Sequence, residues 1–421
     1  MVSVKKLKKL KRLCLKKKKV FRAGKLKNHI KYWKKITHNK KIIKYIEGVN
    51  ILEINDNVNT SQVTNLSKNY NLSVSDKVSI TKELKVMLEQ GIIKETIREV
   101  NDIVSKIFPR TKSDGVSIRI ILNLKQLNEQ LPVSKFKMSG ILDALDLVTP
   151  NAFMASIDLI QAYFNVSVNP DQVKYLKFFW NGKYYNFQVL PNGYCRAPLM
   201  FTLITKPIMA YLHRLGHMCT FYIDDSFLIS ENKEDCIQNV LDTVNILHKL
   251  GFSVHPEKSV FIPTTRIEYL GFIIDSVDMT IELNMKRKTK ILTACKLIKN
   301  KDKFTIRMLA SLIGLLVSAM VAVPVGKLFY RNLEKVKIRA LKEHKGNWEK
   351  EITNSCLNKE ALSEIEWWEV NTMDYKSPIH RENPLITITS DACKTGFGAV
   401  CNEIEFNGHW NVHEKVYILI S

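Results

Sequence analysis

A chain of 421 residues, 45% apolar and 25% charged, has material for several hydrophobic cores and is too apolar to be a disordered polyelectrolyte. Its net charge is +23, but 19 of its 64 Lys and Arg lie in the first 45 residues, where no acid occurs; the remaining 45 basic and 41 acidic residues nearly balance. Eight scattered cysteines (Cys14, Cys195, Cys219, Cys236, Cys295, Cys356, Cys393 and Cys401) show no close pair at zinc-ligand or disulfide-framework spacing. This argues against a disulfide-stapled scaffold and predicts reduced thiols inside the cell, in cytoplasm or nucleus.

Residues 1–45 read as a basic N-terminal arm. Its Lys-rich pieces are broken by single leucines and lack the continuous apolar stretch of a secretory signal. An anionic polymer suits such an arm, because each neutralised phosphate releases counterions. A solvated lysine-rich leader and a nuclear-import signal are the other readings of the same residues. Residues 46–78, rich in Asn, Ser and Thr, read as a polar linker, and order is expected to begin near Ser79.

From Ile80 through Leu84, Leu88 and Ile92 the apolar spacing is helical, with Gly91 as a stop. A hairpin is predicted next, Ser105 to Pro109 against Ile118 to Leu124, joined by the turn Thr111-Lys112-Ser113-Asp114-Gly115. Strand signals follow at Phe153 to Leu159 and Tyr184 to Leu190, then a helix over Ala197 to Leu215. Two short apolar strands, Cys219 to Ile223 and Ser226 to Ser230, flank Asp224-Asp225. A helix over Lys233 to Leu250, a strand pair around Phe261 and Tyr269 to Ile274, and a mostly helical stretch from Met285 to about Trp368 come after. Residues 385–409 return to strands. Strands and helices that alternate without a strict βαβ rhythm predict an α+β domain with an antiparallel sheet. The uncharged run Met308 to Gly326 is roughly 20 residues long, enough to just cross a bilayer. Its Ser311, Gly314, Ser318, Pro324 and Gly326, and the missing aromatic belt, favour a buried helix, so no membrane partner is expected.

Asp158 ends an apolar strand, and Asp224-Asp225 lies at a hairpin tip, where short polar residues tolerate turn geometry. Nucleotidyl transfer uses two divalent ions roughly 4 Å apart and so needs carboxylates from different strands. Hard oxygen ligands on rigid strands suit two Mg2+ ions, with Mn2+ as a substitute. Acidic turns are also commonly just solvated, and the carboxylates alone leave that reading open.

The surrounding residues narrow it. Asp158-Leu159-Ile160-Gln161-Ala162-Tyr163-Phe164 resembles the first palm motif of reverse transcriptases, and Tyr222-Ile223-Asp224-Asp225 resembles their YxDD motif. Leu190-Pro191-Asn192-Gly193-Tyr194-Cys195-Arg196-Ala197-Pro198 is similar to the family's LPxGxxxAP segment. Gly251 to Lys258 resembles the next palm motif, and Tyr269-Leu270-Gly271 the primer grip. A finer resemblance, to DIRS-like retrotransposons with gypsy-type elements next, rests on Lys174 to Phe178 and Tyr184 to Pro191. Asn192 departs from both patterns.

The resemblance implies a right-hand polymerase: fingers and palm over 79–275, a helical thumb and connection over 276–380. It implies that Asp158, Asp224 and Asp225 are catalytic and hold the metal ions. It sets Lys112, Arg119, Ala162, Tyr163, Asn192, Gly193 and Lys258 around the incoming nucleotide. Lys112 and Arg119 would meet the triphosphate, Arg gripping two oxygens at once, and Tyr163 would exclude a 2′-hydroxyl. Lys258 would give a proton to pyrophosphate. Taken alone, the cations read equally as solvated surface charges and Tyr163 as a packing residue. Residues 381–421 resemble the start of RNase H, with Asp391 as its first acid; the helix and later strands that would complete that site are not in this sequence, so RNase H activity is not expected. The implied function is RNA-directed DNA synthesis from a primer, with dNTPs and an RNA or DNA template as partners. A catalytically silent nucleic-acid-binding relic and an RNA-dependent RNA polymerase are the alternatives.

Overall fold

The computed structural model describes residues 2–18, 21–53, 56, 58, 71–100, 102–111, 115, 117–132, 135–379, 386–393, 395–401 and 404–411. They fall into two compact units, 1–377 and 378–421. The helices that matter below are α1 (Val2–Lys18), α2 (Ile30–Ile36), α3 (Lys40–Glu47), α4 (Val74–Glu89), α5 (Lys125–Gln130), α6 (Ile141–Leu145), α7 (Ala197–Arg214) and α8 (Lys233–Lys249).

The centre of the first unit is a four-stranded sheet in the order β10-β5-β9-β8. It is formed by β5 (Phe153–Asp158), β8 (Met218–Tyr222), β9 (Asp225–Ser230) and β10 (Val260–Thr264), each antiparallel to its neighbours. Their near-continuous apolar runs suit strands covered on both faces. Ala155, Ile157 and Leu228 join the core that also holds Val240, Val244 and Leu247 of α8 and Phe201, Ile204 and Ile208 of α7. On the opposite face the Phe227 ring meets Tyr269, centroids 5.1 Å apart. Side chains alternate along a strand, so Asp225 shares the Phe227 face, and its cross-strand partner Asp158 shares it too. Both carboxylates therefore lie on the face away from α7 and α8.

Beside it are a second sheet, in the order β1-β7-β6-β2, and a separate hairpin. The sheet contains β1 (Ile93–Thr96), β2 (Val104–Ser105), β6 (Lys177–Trp180) and β7 (Lys183–Phe187). The expected hairpin is present as β3 (Ile107–Thr111) and β4 (Ile118–Leu122), with Arg110 opposite Arg119. A buried Lys177–Asp102 ion pair crosses between β6 and the start of β2. A third sheet, β11 (Arg266–Tyr269), β12 (Phe272–Asp275) and β13 (Thr280–Leu283), packs beyond β5. Helices α9 (Met285–Asn300), α10 (Ile306–Ala319), α11 (Arg331–Glu343) and α12 (Lys359–Asn371) follow. Leu309, Leu312, Ile313 and Leu316 bury one side of α10, so the uncharged run ends as a packed helix at Ala319 and a 3-10 turn at Pro324–Leu328. Among the described residues no helix is long and apolar enough to cross a membrane. Glu364, buried on α12, accepts hydrogen bonds from the Asn332 and Leu333 backbone and caps α11.

The expectation that order begins near Ser79 is corrected. Residues 21–53 are built into the first unit, with Leu26, Trp33, Ile46, Val49 and Ile51 fully buried. The Trp33 indole donates to the Leu250 carbonyl (3.0 Å) and His29 Nδ1 to the Lys249 carbonyl (2.8 Å), so two orphan acceptors at the end of α8 find donors here. The Val49 N–H donates to the Ser167 carbonyl (2.9 Å) and the Val49 carbonyl accepts from the Asn169 N–H (2.9 Å), which ties this stretch to the strand-like segment after Tyr163. The apolar residues of this stretch come singly or in pairs among lysines, whose long stems leave the charge in water, so composition hid an amphipathic pattern. Within the expected linker, α4 begins at Val74 under a Ser73 cap, and residues 59–70 lie outside the described set.

The second unit is a three-stranded antiparallel meander, Ile388–Ala392, Gly396–Cys401 and Ile404–His409.

Candidate active site

The end of the central sheet is held by backbone. Asp158 donates its N–H to Ser259 Oγ (3.0 Å) and its carbonyl accepts from His255 (2.8 Å). The Leu159 N–H reaches the Asp224 carbonyl (2.8 Å), so the first palm strand is tied to the hairpin tip next to it. That tip is a two-residue loop, Ile223-Asp224, between the paired Tyr222 and Asp225. Ile223 has φ of 52°. The pattern is that of a type II′ turn, which wants glycine at its first central place, and a β-branched residue there is strained. The burden of the turn therefore falls on Ile223, not on the aspartates to which the sequence assigned it.

Asp158 and Asp225 face each other across β5 and β9 and share a side-chain hydrogen bond. Burial, opposed by Lys258 and reinforced by the Asp224 charge, pushes Asp158 up to about 6. Burial and then the Asp224 and Asp158 charges push Asp225 up to about 7. Lys258 Nζ stands 3.7 Å from Asp158 Oδ2 on a largely exposed stem. Among the described residues no group of three His, Cys, Asp or Glu stands together as a metal-ligand cluster. The arrangement is a facing pair with Asp224 acting on both by charge. Its oxygen-only donors fit a hard divalent ion, and Asp158 Oδ1 is buried without a hydrogen-bond partner.

Ala162 and Tyr163 lie in the 3-10 turn Ala162–Asn165, entered through Gln161 in the left-handed region (φ 49°). Tyr163 meets Phe201 edge-on at 5.6 Å. Burial and the Asp224 charge push its phenol up to about 12, with Arg119 pulling the other way. Arg119 itself is exposed on β4. Lys112 lies outside the described residues.

Asn192 and Gly193 stand at the foot of the β3–β4 hairpin, where the Leu122 N–H reaches the Asn192 carbonyl (3.3 Å). Gly193 has φ of 110°, and a Cβ there would come within 2.2 Å of the Leu122 carbonyl oxygen, so only glycine fits. Tyr269 is buried beneath the hairpin: its hydroxyl donates to the Asp225 carbonyl (3.2 Å), and burial with the Asp225 charge raises its pKa. Leu270 and Gly271, both at positive φ, make the β11–β12 turn, and Gly271 lies against Arg287. Asp391 is exposed in the second unit, opposite Gly398.

Sequence reasoning missed two supports. Fully buried Asn165 donates from Nδ2 to the Ile160, Gln161 and Ala162 carbonyls (3.0, 3.0 and 3.2 Å), fixing the loop between Asp158 and Tyr163. Ser259 steadies Asp158 from β10's approach. Both lie within or next to quoted motifs, but a single polar residue there carries no period or spacing by which it stands out.

Residues 88–274 match the family model described as reverse transcriptase (RNA-dependent DNA polymerase). This stretch therefore carries a reverse transcriptase domain. The chain is similar to the Pro-Pol polyprotein of Simian foamy virus type 1, 23% identical over 249 residues, covering 59% of this chain and 20% of that protein. It is also similar to the retrovirus-related Pol polyprotein from transposon gypsy of Drosophila melanogaster, 26% identical over 206 residues, covering 48% and 19%. The chain spans about a fifth of the length of these curated relatives. Among solved structures, foamy viral protease-reverse transcriptase in complex with RNA/DNA hybrid superposes with a TM-score of 0.62 at 19% identity, covering 84% of this chain and 45% of that one. That likeness gives the fold: a right-hand polymerase of mixed helices and sheets.

Proposed function

We propose that this chain is the RNA-directed DNA polymerase of a retroelement, extending a primer on an RNA or DNA template with dNTPs. The observation that carries the reading is the facing pair Asp158 and Asp225, with Asp224 beside it, at the hairpin end of the palm sheet inside the reverse transcriptase match. These three carboxylates would hold two Mg2+ ions, which when bound activate the primer hydroxyl and neutralise charge on the triphosphate. Asp158 and Asp225, pushed up to about 6 and 7, keep a proton between them until a cation takes its place.

The remaining roles belong to the chain's own side chains. Arg119 on the fingers hairpin, with Lys112, binds phosphate oxygens. Tyr163, leaning on Phe201, lies under the sugar and excludes a 2′-hydroxyl. Lys258, held near Asp158, donates a proton to pyrophosphate. The turn with Asn192 and Gly193 backs the templating pair, and Tyr269, Leu270 and Gly271 grip the primer. Within retroelements, Lys174 to Phe178 and Tyr184 to Pro191 favour a DIRS-like member. The strands around Asp391 are the beginning of an RNase H-like domain with Asp391 as its first acid.

The test is primer extension by the purified chain on poly(rA)/oligo(dT) with Mg2+. Dependence on Mg2+ and preference for dNTPs over rNTPs support the reading; extension that survives chelation of all divalent ions, or that prefers rNTPs, refutes it.

A further inference from the structure

We propose that the outer face of α1 is a second binding surface for nucleic-acid backbone, on the far side of the palm from the polymerase carboxylates. α1 packs on α8 and β10, burying Leu7 and Cys14, seven residues apart, and Cys14 Sγ lies 3.9 Å from His248 Nε2 in the last turn of α8. Because α8 covers the Leu228 face of the palm sheet and Asp158 and Asp225 occupy the other, sheet and helix separate α1 from the carboxylates.

What α1 shows to solvent is charge of one sign. Lys5, Lys6, Lys8, Lys9, Lys11 and Arg12 are all exposed, and the helix contains no acid. Lys5 and Lys8, Lys5 and Lys9, Lys8 and Lys11, and Lys8 and Arg12 are like-charge neighbours at i,i+3 or i,i+4, each weakening the helix. An array that opposes its own helix and is nonetheless pinned by two buried side chains fits a partner that supplies the missing negative charge. The helix is about 25 Å long, and duplex nucleic acid offers a phosphate charge roughly every 1.7 Å of its axis. A bilayer fits less well, since the apolar stripe of a membrane-lying helix is here spent on the palm, leaving only Leu13 and Leu15 exposed among the described apolar side chains of α1. The choice of nucleic acid over another polyanion rests on the polymerase reading.

The experiment uses the full chain with K5Q/K6Q/K8Q/K9Q/K11Q/R12Q, which keeps Leu7 and Cys14. Affinity for a long blunt DNA duplex is measured against salt, beside binding to phosphatidylserine vesicles, extension on saturating poly(rA)/oligo(dT), and melting temperature. The expected result is a tenfold or greater loss of duplex affinity at low salt and a salt slope shallower by about 5. Melting temperature should be unchanged or raised, and extension retained. An unchanged slope and affinity overturn the proposal, as does a loss confined to the vesicles. If the six-fold variant melts lower, K8Q/R12Q alone is measured, with a slope shallower by about 2 expected and an unchanged slope again overturning it. Failure of the parent chain to extend a primer would defeat the polymerase reading while leaving the duplex comparison intact.

Discussion

Asp225 opens β9 in the first unit, and Asp391 lies in the strand Ile388–Ala392 of the second; both are aspartates in antiparallel hairpins. Opposite Asp225 stands another carboxylate, Asp158, and opposite Asp391 stands Gly398. Asp158 is buried on a sheet covered by helices on its other face, whereas Asp391 is exposed and accepts a bond from its own neighbour, the Ala392 N–H (2.8 Å). An acid becomes chemically useful when its surroundings make its charge costly and a second acid shares that cost. The first hairpin meets both conditions within the described residues, and the second shows neither there.

The largest expected effect breaks the comparison directly. Asp225→Asn should lower primer extension by more than about 100-fold, the loss that even an outer partner of a metal ligand can cause, while Asp391→Asn leaves it unchanged. Equal effects from the two substitutions would remove the distinction.

The palm hairpin also has an aromatic neighbour, Tyr163, whose phenol feels the Asp224 charge. Tyr163→Val should raise rNTP use relative to dNTP use by roughly tenfold, about 1.4 kcal/mol of discrimination, with part of the dNTP activity kept. If Tyr163 only packs against Phe201, truncation lowers both activities together, with a lower melting temperature. The ratio of the two efficiencies decides between them.

A third expectation comes from the raised carboxyls. Asp158 and Asp225 sit at about 6 and 7 against an ordinary 3.8, so the folded state holds their protons more tightly than the unfolded chain does. That contribution to stability is fully present below about pH 4 and is lost as pH rises through 6 and 7. With EDTA present, the melting temperature should fall between pH 5 and pH 8, and Mg2+ should restore more of it at pH 8 than at pH 5. Asp225→Asn should flatten this dependence. A Mg2+ effect that is equal at both pH values would show that the ion binds elsewhere.

The convergence of the acids was more legible in the sequence than its support. Motif spacing led to Asp158, Asp224, Asp225 and Gly193, because residue type and turn geometry at those positions are dictated by local need. The hairpin Ile107–Thr111 with Ile118–Leu122 and helices α7 and α8 stand close to where the sequence predicts them. The N-terminal helices did not: buried Leu26, Trp33 and Ile46 stand in a lysine-rich stretch, and the Trp33 indole is placed by an acceptor at the end of α8, more than 200 positions away. Asn165 escaped for a similar reason, since its donors serve a loop conformation that no pattern announces. The strand signals did not include β6, whose Lys177 is buried against Asp102.

The smallest effect concerns the strain at the hairpin tip. Ile223 holds φ of 52° in a place that glycine prefers, and a non-glycine residue there costs on the order of 1–3 kcal/mol. Replacing it outright mixes this strain with lost packing, because Ile223 is half-buried against the core. Comparing Ile223→Gly with Ile223→Ala cancels most of the packing loss. In an ordinary strand or helix glycine is the less stable of the two by roughly 0.5–1 kcal/mol. At position 223 the order should reverse, with the glycine variant more stable by about 1 kcal/mol once the strain is set against its backbone entropy. Thr389, in the extended strand of the second hairpin and paired with Val400, supplies the control, and there alanine should win. Chemical denaturation of the four variants gives both differences. Alanine more stable at both positions would mean that the palm hairpin stores no strain and that its tip differs from the second hairpin only in its acids.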